Sequence, residues 1–246
     1  MAELAFGAGR QRGTIGVERR PRPANLMSIL IKICGLKTPD ALDVAIEAGA
    51  DMVGFVFFPP SPRNLGHAAA AELGHRVKGR ARKVALTVDA DDTQLAGIIE
   101  ALQPDLLQLH GAESPARVRA IKARFGLPVM KAIAVEVRAD LAGVKRYDTV
   151  ADRLLFDARA PREATRPGGL GKPFDWYLLE QLDLPVPYML SGGLDPDNVA
   201  AALRITGAPG VDVSSGVERA AGEKDLDRIR DFIRAAHRTP TPATTV

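Results

Sequence analysis

The sequence is poor in the residues that mark several protein classes. It has one cysteine, Cys34, so it cannot form an intramolecular disulfide, and only 5% of its 246 residues are aromatic. No apolar run approaches the roughly 18 residues of a membrane-spanning helix, and no spacing of His, Asp and Glu resembles a metal site. Since nothing points to an oxidising compartment, we predict a cytoplasmic protein that binds neither a metal nor a membrane.

An excess of charge of one sign is also missing from most of the chain. Five of the 33 basic residues and two of the 30 acidic ones lie in residues 1–27, which leaves 28 of each sign in residues 28–246. A nucleic-acid-binding domain carries a basic footprint, so we expect no nucleic-acid partner. Residues 1–27 are rich in Gly, Arg and Pro and lack the apolar stretch of a secretory signal. They are predicted to be a disordered basic leader; a targeting peptide, or a true start at Met27, is the alternative.

Apolar residues make up 46% of the chain, enough for a sizeable core in one domain. From Ile29 onward, short runs rich in Val, Ile, Leu and Phe alternate with helical patterns, which is typical of parallel strands joined by crossover helices. The predicted strands are Ile29–Cys34, Met52–Phe58, Lys83–Val88, Leu106–His110, Val129–Ile133, Arg153–Asp157, Tyr188–Ser191 and Gly210–Ser214. Eight such units predict a single (β/α)8 TIM barrel over residues 28–237, followed by a frayed tail over residues 238–246.

Three helix starts support these strands, because each places a capping residue and a proline a few residues after a strand. They are Thr38-Pro39, Ser114-Pro115 and Asp195-Pro196. An open doubly wound sheet is the alternative fold, but it usually has a Gly-rich turn after its first strand. Here the segment Lys32-Ile33-Cys34-Gly35-Leu36 offers one glycine, which favours the closed barrel.

Two matched glycine loops follow the last two predicted strands. They are Ser191-Gly192-Gly193 and Ser214-Ser215-Gly216. Small residues let backbone N–H groups approach an anion closely, and the loops after strands seven and eight are the recurrent phosphate site of this fold. Either loop alone could be a tight turn, but the pair predicts phosphate binding.

Reactive groups in such a barrel lie at the carboxyl ends of the strands. Cys34, Asp157 and His110 end strands one, six and four. A thiol and a carboxylate across one mouth can act as general base and general acid without a metal; a packed cysteine and a capping aspartate are the alternatives. The loop Pro167–Pro173 fits neither nucleotide-binding glycine motif, and we interpret it as a mobile lid or an inert surface loop.

In this order, the motifs of residues 31–236 resemble phosphoribosylanthranilate isomerase, a barrel enzyme of tryptophan biosynthesis. The resemblance rests on Lys32-Ile33-Cys34-Gly35, Gly54-Phe55-Val56-Phe57, Ser61-Pro62-Arg63, Gln108-Leu109-His110-Gly111, Asp157, Gly168–Lys172 with Phe174-Asp175-Trp176, Ser191-Gly192-Gly193-Leu194 and Asp212–Glu218. Each motif is weak alone, whereas the ordered set is highly specific.

The resemblance implies a cofactor-independent Amadori rearrangement of a phosphorylated aminosugar. Asp157 would open the ribose ring as general acid, Cys34 would remove a proton from the second ribose carbon, and Arg63 would meet the anthranilate carboxylate. The other substrate-binding residues would be Gln108, His110, Gly192, Gly193, Ser214, Ser215 and Gly216. The chain is expected to act as a monomer or homodimer.

Two other functions stay open at this point. The histidine-pathway isomerase performs the same rearrangement on another aminosugar, but its usual base is an aspartate at the place of Cys34. A barrel without activity could also bind a phosphorylated ligand or a partner. The intact pair of Cys34 and Asp157 argues against that second alternative.

Overall fold

Eight parallel strands close into a barrel in chain order, and the eighth pairs back to the first. The computed structural model describes residues 29–161, 163–169, 171, 173–180 and 182–239. The strands are β1 Leu30–Cys34, β2 Met52–Phe57, β3 Arg82–Thr87, β4 Leu106–Leu109, β5 Val129–Val135, β6 Arg153–Ala158, β7 Tyr188–Leu190 and β8 Gly210–Val213. The predicted TIM barrel is confirmed. The predicted leader and residues 240–246 of the predicted tail lie outside the described residues.

The described residues also form six α-helices and three 3-10 helices. The α-helices are α1 Pro39–Ala48, α2 His67–Val77, α3 Asp92–Leu102, α4 Pro115–Phe125, α5 Val199–Thr206 and α6 Leu226–His237. The 3-10 helices are Arg138–Arg146, Trp176–Leu179 and Ser215–Val217, and a small hairpin of β9 Glu218–Ala220 and β10 Glu223–Lys224 precedes α6. None of the helices in these ranges is long and apolar enough to cross a membrane.

The alternation of strands with α-helices fails in two connections. The links after β5 and β6 contain 3-10 helices instead of α-helices. In the second of these links, the segment 161–173 holds three prolines and three glycines, which remove backbone donors and favour turns. The described residues of this segment form turns and bends, and several of them border the carboxyl end of the barrel.

Two of the three predicted helix starts are confirmed. The Thr38 and Ser114 hydroxyls accept backbone N–H bonds at the starts of α1 and α4, and proline follows each. The third prediction was wrong by three residues, since α5 begins at Val199 rather than Pro196. The Asp195 carboxylate accepts two backbone N–H bonds within the preceding turn, so this cap organises a turn rather than the helix itself.

Alternate strand residues face the barrel interior and the surrounding helices. The interior cluster is Met52, Val84, Leu106, Met130, Ala132, Leu155 and Met189. Above it, in the middle of the barrel, Lys32 Nζ donates to Asp212 Oδ1 at 2.8 Å, and the Lys32 side chain is 0% exposed. Since residues two apart on a strand share one face, the next interior position of β1 is Cys34, at the carboxyl end.

Three aspartates repeat one contact at the amino end of the barrel. Each directly precedes an even-numbered strand. Its carboxylate and its backbone N–H both bond a residue near the start of the preceding odd-numbered strand. Asp51 Oδ2 accepts from Ile31 N at 2.9 Å, and its own N–H donates to Ile31 O at 2.9 Å. Asp105 does the same with Lys83, and Asp152 with Val129. We call these three contacts the aspartate clamps.

Candidate active site

A cavity opens at the carboxyl ends of the strands, with about 830 Å³ of empty space including the open solvent at its mouth. Eight of the ten predicted site residues border it: Cys34, Arg63, His110, Asp157, Gly192, Gly193, Ser214 and Ser215. Gln108 and Gly216 are outside this lining, and they contact residues that form it.

Cys34 lies at the end of β1, beside the buried pair of Lys32 and Asp212. Burial raises the pKa of the Cys34 thiol, and the positive charge of Lys32 offsets only part of that effect. Burial works to lower the pKa of Lys32, but Asp212 and Cys34 together raise it above its usual value, so Lys32 is charged. A Cβ on Gly54 would stand 2.9 Å from Cys34 Sγ, so glycine on the neighbouring strand leaves room for the thiol.

Asp157 is the next-to-last residue of β6, borders the cavity and is held by two donors. His110 Nε2 lies 3.1 Å from Asp157 Oδ2, and the N–H of Ala158 donates to Oδ1 at 2.9 Å. Gln108 Nε2 lies 3.1 Å from His110 Nδ1. With the amide in this orientation, Nδ1 accepts and Nε2 carries the hydrogen that points at Asp157. Gln108 is 0% exposed, so it acts on the cavity only through His110.

Arg63 was predicted to meet a substrate carboxylate, but one edge of its fork of guanidinium donors is already bound within the protein. Its Nε and Nη2 donate to the two carboxylate oxygens of Glu218 at 2.7 and 2.8 Å, and Nη2 also donates to Gly169 O at 3.3 Å. Lys224 Nζ bonds the same carboxylate at 2.8 Å. The fork is therefore closed by Glu218, which leaves Nη1 as the edge of Arg63 free to meet a ligand.

The hairpin after β8 supplies the charges that surround Arg63. Although burial acts to raise it, the bond from Arg63 and the charge of Lys224 lower the pKa of Glu218 to about 2. Burial lowers the pKa of Lys224 to about 8, while Glu218 works in the opposite direction. Lys224 Nζ also donates to the backbone oxygen of Ser214 at 2.8 Å. The hairpin thus ties Arg63 to the second glycine loop.

The two glycine loops need glycine because backbones approach each other closely. Gly192 and Gly193 have φ values of 83° and 67°, in the left-handed region that other residues avoid. A Cβ on Gly192 would lie 2.5 Å from the backbone nitrogen of Ala158, and one on Gly216 would overlap the carbonyl oxygen of Leu194. Gly216 therefore packs behind the cavity, whereas Gly192 and Gly193 border it.

The loop after β6 lies over the acid and the arginine. A Cβ on Gly168 would overlap the Asp157 carboxylate, and one on Gly169 would lie 2.6 Å from Arg63 Nη1. Gly168, Gly169 and Gly171 border the cavity, whereas Leu170 and Lys172, which belong to the predicted lid, lie outside the described residues. Within the part of the chain that the structure describes, no three His, Cys, Asp or Glu side chains are grouped to hold a metal ion.

Residues 31–235 match the family model of N-(5'-phosphoribosyl)anthranilate isomerase. The chain belongs to this isomerase family. It is 68% identical over 215 residues to the N-(5'-phosphoribosyl)anthranilate isomerase of Nitrobacter winogradskyi, which covers 87% of this chain and 96% of that protein. It is also 68% identical over 210 residues to the Bradyrhizobium sp. (strain ORS 278) protein of the same name, covering 85% of this chain and 96% of that one.

Solved structures of phosphoribosylanthranilate isomerase share the fold. The Thermotoga maritima structure has a TM-score of 0.77 at 34% identity and covers 85% of this chain and 98% of that one. A structure of the isomerase in complex with reduced 1-(o-carboxyphenylamino)-1-deoxyribulose 5-phosphate has a TM-score of 0.72 at 31% identity, with the same coverage.

The sequence did not reveal which contacts hold the residues of this site in place. Glu218 was recognised only as part of a motif, and Lys224 was not singled out. The contact between Arg63 and Glu218 joins residues 155 positions apart, so no local spacing reveals it. The same holds for Lys32 and Asp212, which lie 180 positions apart.

Proposed function

We propose that this cavity converts N-(5'-phosphoribosyl)anthranilate to 1-(2-carboxyphenylamino)-1-deoxyribulose 5-phosphate, the Amadori rearrangement of tryptophan biosynthesis. The observation that carries the proposal is the placement of one thiol and one carboxyl group, Cys34 and Asp157, on the lining of a single cavity. The glycine loops after β7 and β8 border the same cavity. A base, an acid and an anion site are what this reaction needs.

Asp157 acts as the general acid in the first step. In its protonated form it gives its proton to the ribose ring oxygen as the bond from that oxygen to the first ribose carbon breaks, which leaves a Schiff base with the anthranilate nitrogen. The bonds from His110 and Ala158 hold the carboxyl group in one orientation. Gln108 fixes the His110 ring in turn, so these two residues position the acid.

Cys34 acts as the general base in the second step. Its thiolate removes the proton from the second ribose carbon, and the electron pair moves toward the Schiff base to form an enolamine. The enolamine becomes the ketone when its hydroxyl proton is lost and the first carbon gains one. Burial disfavours the thiolate, so the charge of Lys32 beside it is needed to stabilise the reactive form.

The substrate phosphate binds at the glycine loops, where the backbone at Gly192, Gly193 and Ser215 comes close to the ligand, with Ser214 beside it and Gly216 behind. Backbone N–H groups suit this task, since they are fixed in direction and need no side-chain ordering. The anthranilate carboxylate lies near Nη1 of Arg63. The two anionic ends of the substrate are thereby held on either side of the reacting carbons.

We further propose that the chain acts in the cytoplasm as a monomer or homodimer. A reducing compartment keeps the Cys34 thiol available as a base. All residues with a proposed role come from one chain, so one protomer suffices for the chemistry. The related isomerase of Thermotoga maritima is described as dimeric, and monomers generated from it have been crystallised.

A direct assay with N-(5'-phosphoribosyl)anthranilate tests this function. We expect the substrate fluorescence to fall as the purified chain is added, and chromatography to identify the ribulose phosphate product. EDTA should leave the rate unchanged, because the proposed acid and base need no metal. Failure to convert this substrate, conversion of only the histidine-pathway aminosugar, or activity that vanishes in EDTA and returns with a divalent ion would each contradict the proposal.

A further inference from the structure

The anthranilate carboxylate meets an arginine whose strongest binding edge is already in use. Glu218 occupies Nε and Nη2 of Arg63 in a two-bond contact, and Gly169 O accepts a further bond from Nη2. A guanidinium binds a carboxylate best through two parallel N–H bonds. Arg63 offers Nη1 alone, so a second cation would complete the recognition of this end of the substrate.

Arg166 supplies such a cation. It borders the same cavity as Arg63 and Asp157, it is half-buried, and its Nε is buried with no hydrogen-bond partner among the described residues. A buried donor on a charged group is costly when it stays unpaired. An anion in the cavity would remove that cost.

The other charged groups of the cavity have partners. Arg159 bonds Asp140, and Arg63 bonds Glu218. The carboxylates of the lining are also paired, Asp157 with His110 and Asp212 with Lys32. Among the lining residues that the structure describes, Arg166 is therefore the cation without a carboxylate partner.

The position of Arg166 in its loop favours the carboxylate of the substrate over the phosphate. Three residues later, Gly169 contacts the guanidinium of Arg63, and Gly168 lies against Asp157. The segment 166–169 thus runs along the side of the cavity where Arg63 lies. The phosphate has its own donors in the glycine loops of β7 and β8.

We propose that Arg166 is a further substrate-binding residue that pairs with the carboxylate of the anthranilate ring, together with Nη1 of Arg63. This inference rests on the proposed function, because it assigns a role toward that substrate. It predicts that Arg166 contributes to binding of ligands that carry the anthranilate ring and contributes nothing to ligands that carry only the sugar phosphate.

The test is a calorimetric titration of the full chain and of Arg166→Met with two ligands. One is reduced 1-(o-carboxyphenylamino)-1-deoxyribulose 5-phosphate, and the other is ribulose 5-phosphate, which lacks the ring. We expect Arg166→Met to raise Kd for the first about 10- to 100-fold, the range of a charge-assisted hydrogen bond, and to leave Kd for the second unchanged. Arg159→Met is the matched control, because that arginine already has Asp140 and Glu136 as partners. It should change both constants little.

Three results would overturn the inference. Unchanged binding of both ligands by Arg166→Met would mean that Arg166 does not touch the substrate. An equal rise for both would place it at the sugar phosphate, and an equal loss in Arg159→Met would make the effect one of general charge. Arg166→Lys, which keeps the charge, should recover part of the affinity, and the unfolding temperatures of all variants should match. If the unsubstituted chain converts the substrate but Arg166→Met binds both ligands as the unsubstituted chain does, only the role of Arg166 is refuted. If the unsubstituted chain neither converts the substrate nor binds the analogue, the proposed function fails as well.

Discussion

The two ends of the barrel use charged side chains in different ways. At the amino end, the carboxylates of Asp51, Asp105 and Asp152 accept backbone N–H bonds from neighbouring strands. In the middle of the barrel and at its carboxyl end, buried charged side chains pair with each other: Lys32 with Asp212, and Arg63 with Glu218. The aspartate bonds fix the register between neighbouring strands, whereas the ion pairs lie around a cavity.

This difference has an energetic basis. A carboxylate that accepts a backbone N–H at the barrel edge satisfies a donor that would otherwise bond water, so the aspartate clamps mainly stabilise the fold. A buried ion pair gains little net stability, because removing both charges from water costs about as much as their attraction returns. These ion pairs therefore position groups that face the substrate. The comparison predicts that substitutions at the carboxyl end mainly lower activity, whereas substitutions at the amino end mainly lower stability.

The largest expected effect is at the carboxyl end. Cys34→Ser and Asp157→Asn should each lower kcat by about 10² to 10⁴, the usual share of a general base or acid, because serine is a far weaker base and an amide cannot donate the ring-opening proton. KM and the unfolding temperature should change little. Steady-state kinetics with thermal unfolding checks this. If Cys34→Ser keeps near-normal turnover, the base is another group at the cavity, with His110 the first to test.

Glu218→Gln should be an exception that lowers both stability and activity, because Glu218 belongs to a buried ion cluster that also orients Arg63. We expect a loss of about 3 kcal/mol in the free energy of unfolding at neutral pH, because two buried cations lose their counter-charge. The pKa of Glu218 falls from 4.5 to about 2 on folding. Its stabilising contribution is thus complete above about pH 4.5 and is lost as the pH falls toward 2.

Urea unfolding of both proteins between pH 7 and pH 3 measures that difference. The gap between the unsubstituted chain and Glu218→Gln should narrow as the pH falls below the unfolded value of 4.5. A gap that stays constant over this range would show that the ionised carboxylate is not what stabilises the cluster.

Gly193→Val should raise KM on the order of tenfold, because a Cβ at a positive φ costs about 1–2 kcal/mol and shifts the backbone that binds phosphate. Ser215→Ala should have a much smaller effect, since it removes a hydroxyl and leaves the backbone in place. Gly126→Val is the matched control. It has the same φ of 67° at the end of α4, with nothing near its Cβ, so it should lower stability without changing KM. Equal effects of Gly193→Val and Ser215→Ala would indicate that side chains bind the phosphate.

The smallest effect is expected at the amino end. Asp51→Ala, Asp105→Ala and Asp152→Ala should each cost about 1 kcal/mol of unfolding free energy, the value of the backbone bond that each carboxylate accepts, with kcat and KM unchanged. Asp152 also pairs with Lys122, but that exposed ion pair should add little. The losses should add in a triple variant because the clamps act on separate strand pairs. Asp→Asn at the same positions keeps an acceptor oxygen and should recover most of the stability. A drop in kcat in any single variant would show that the two ends are coupled.

Local patterns were enough to predict the barrel. Each of the eight barrel strands lies within two residues of its predicted bounds, because a buried parallel strand needs a short apolar run and a crossover needs a helix-length gap. The 3-10 connections after β5 and β6 were not predicted, although the prolines and glycines of segment 161–173 disfavour an α-helix in the second of them. The sequence also offered an overlooked signal, an aspartate directly before three even-numbered strands.

The sequence by itself determined the fold, the family and the residues that end each strand at the mouth of the barrel, because these follow from local pattern and from ordered motifs. Only the tertiary structure decided what each charged group faces. Glu218 closes the fork of Arg63, Gln108 is buried behind His110, and burial outweighs Lys32 in setting the pKa of Cys34. Those contacts join residues far apart in the chain, and their energies depend on burial, which no local spacing encodes.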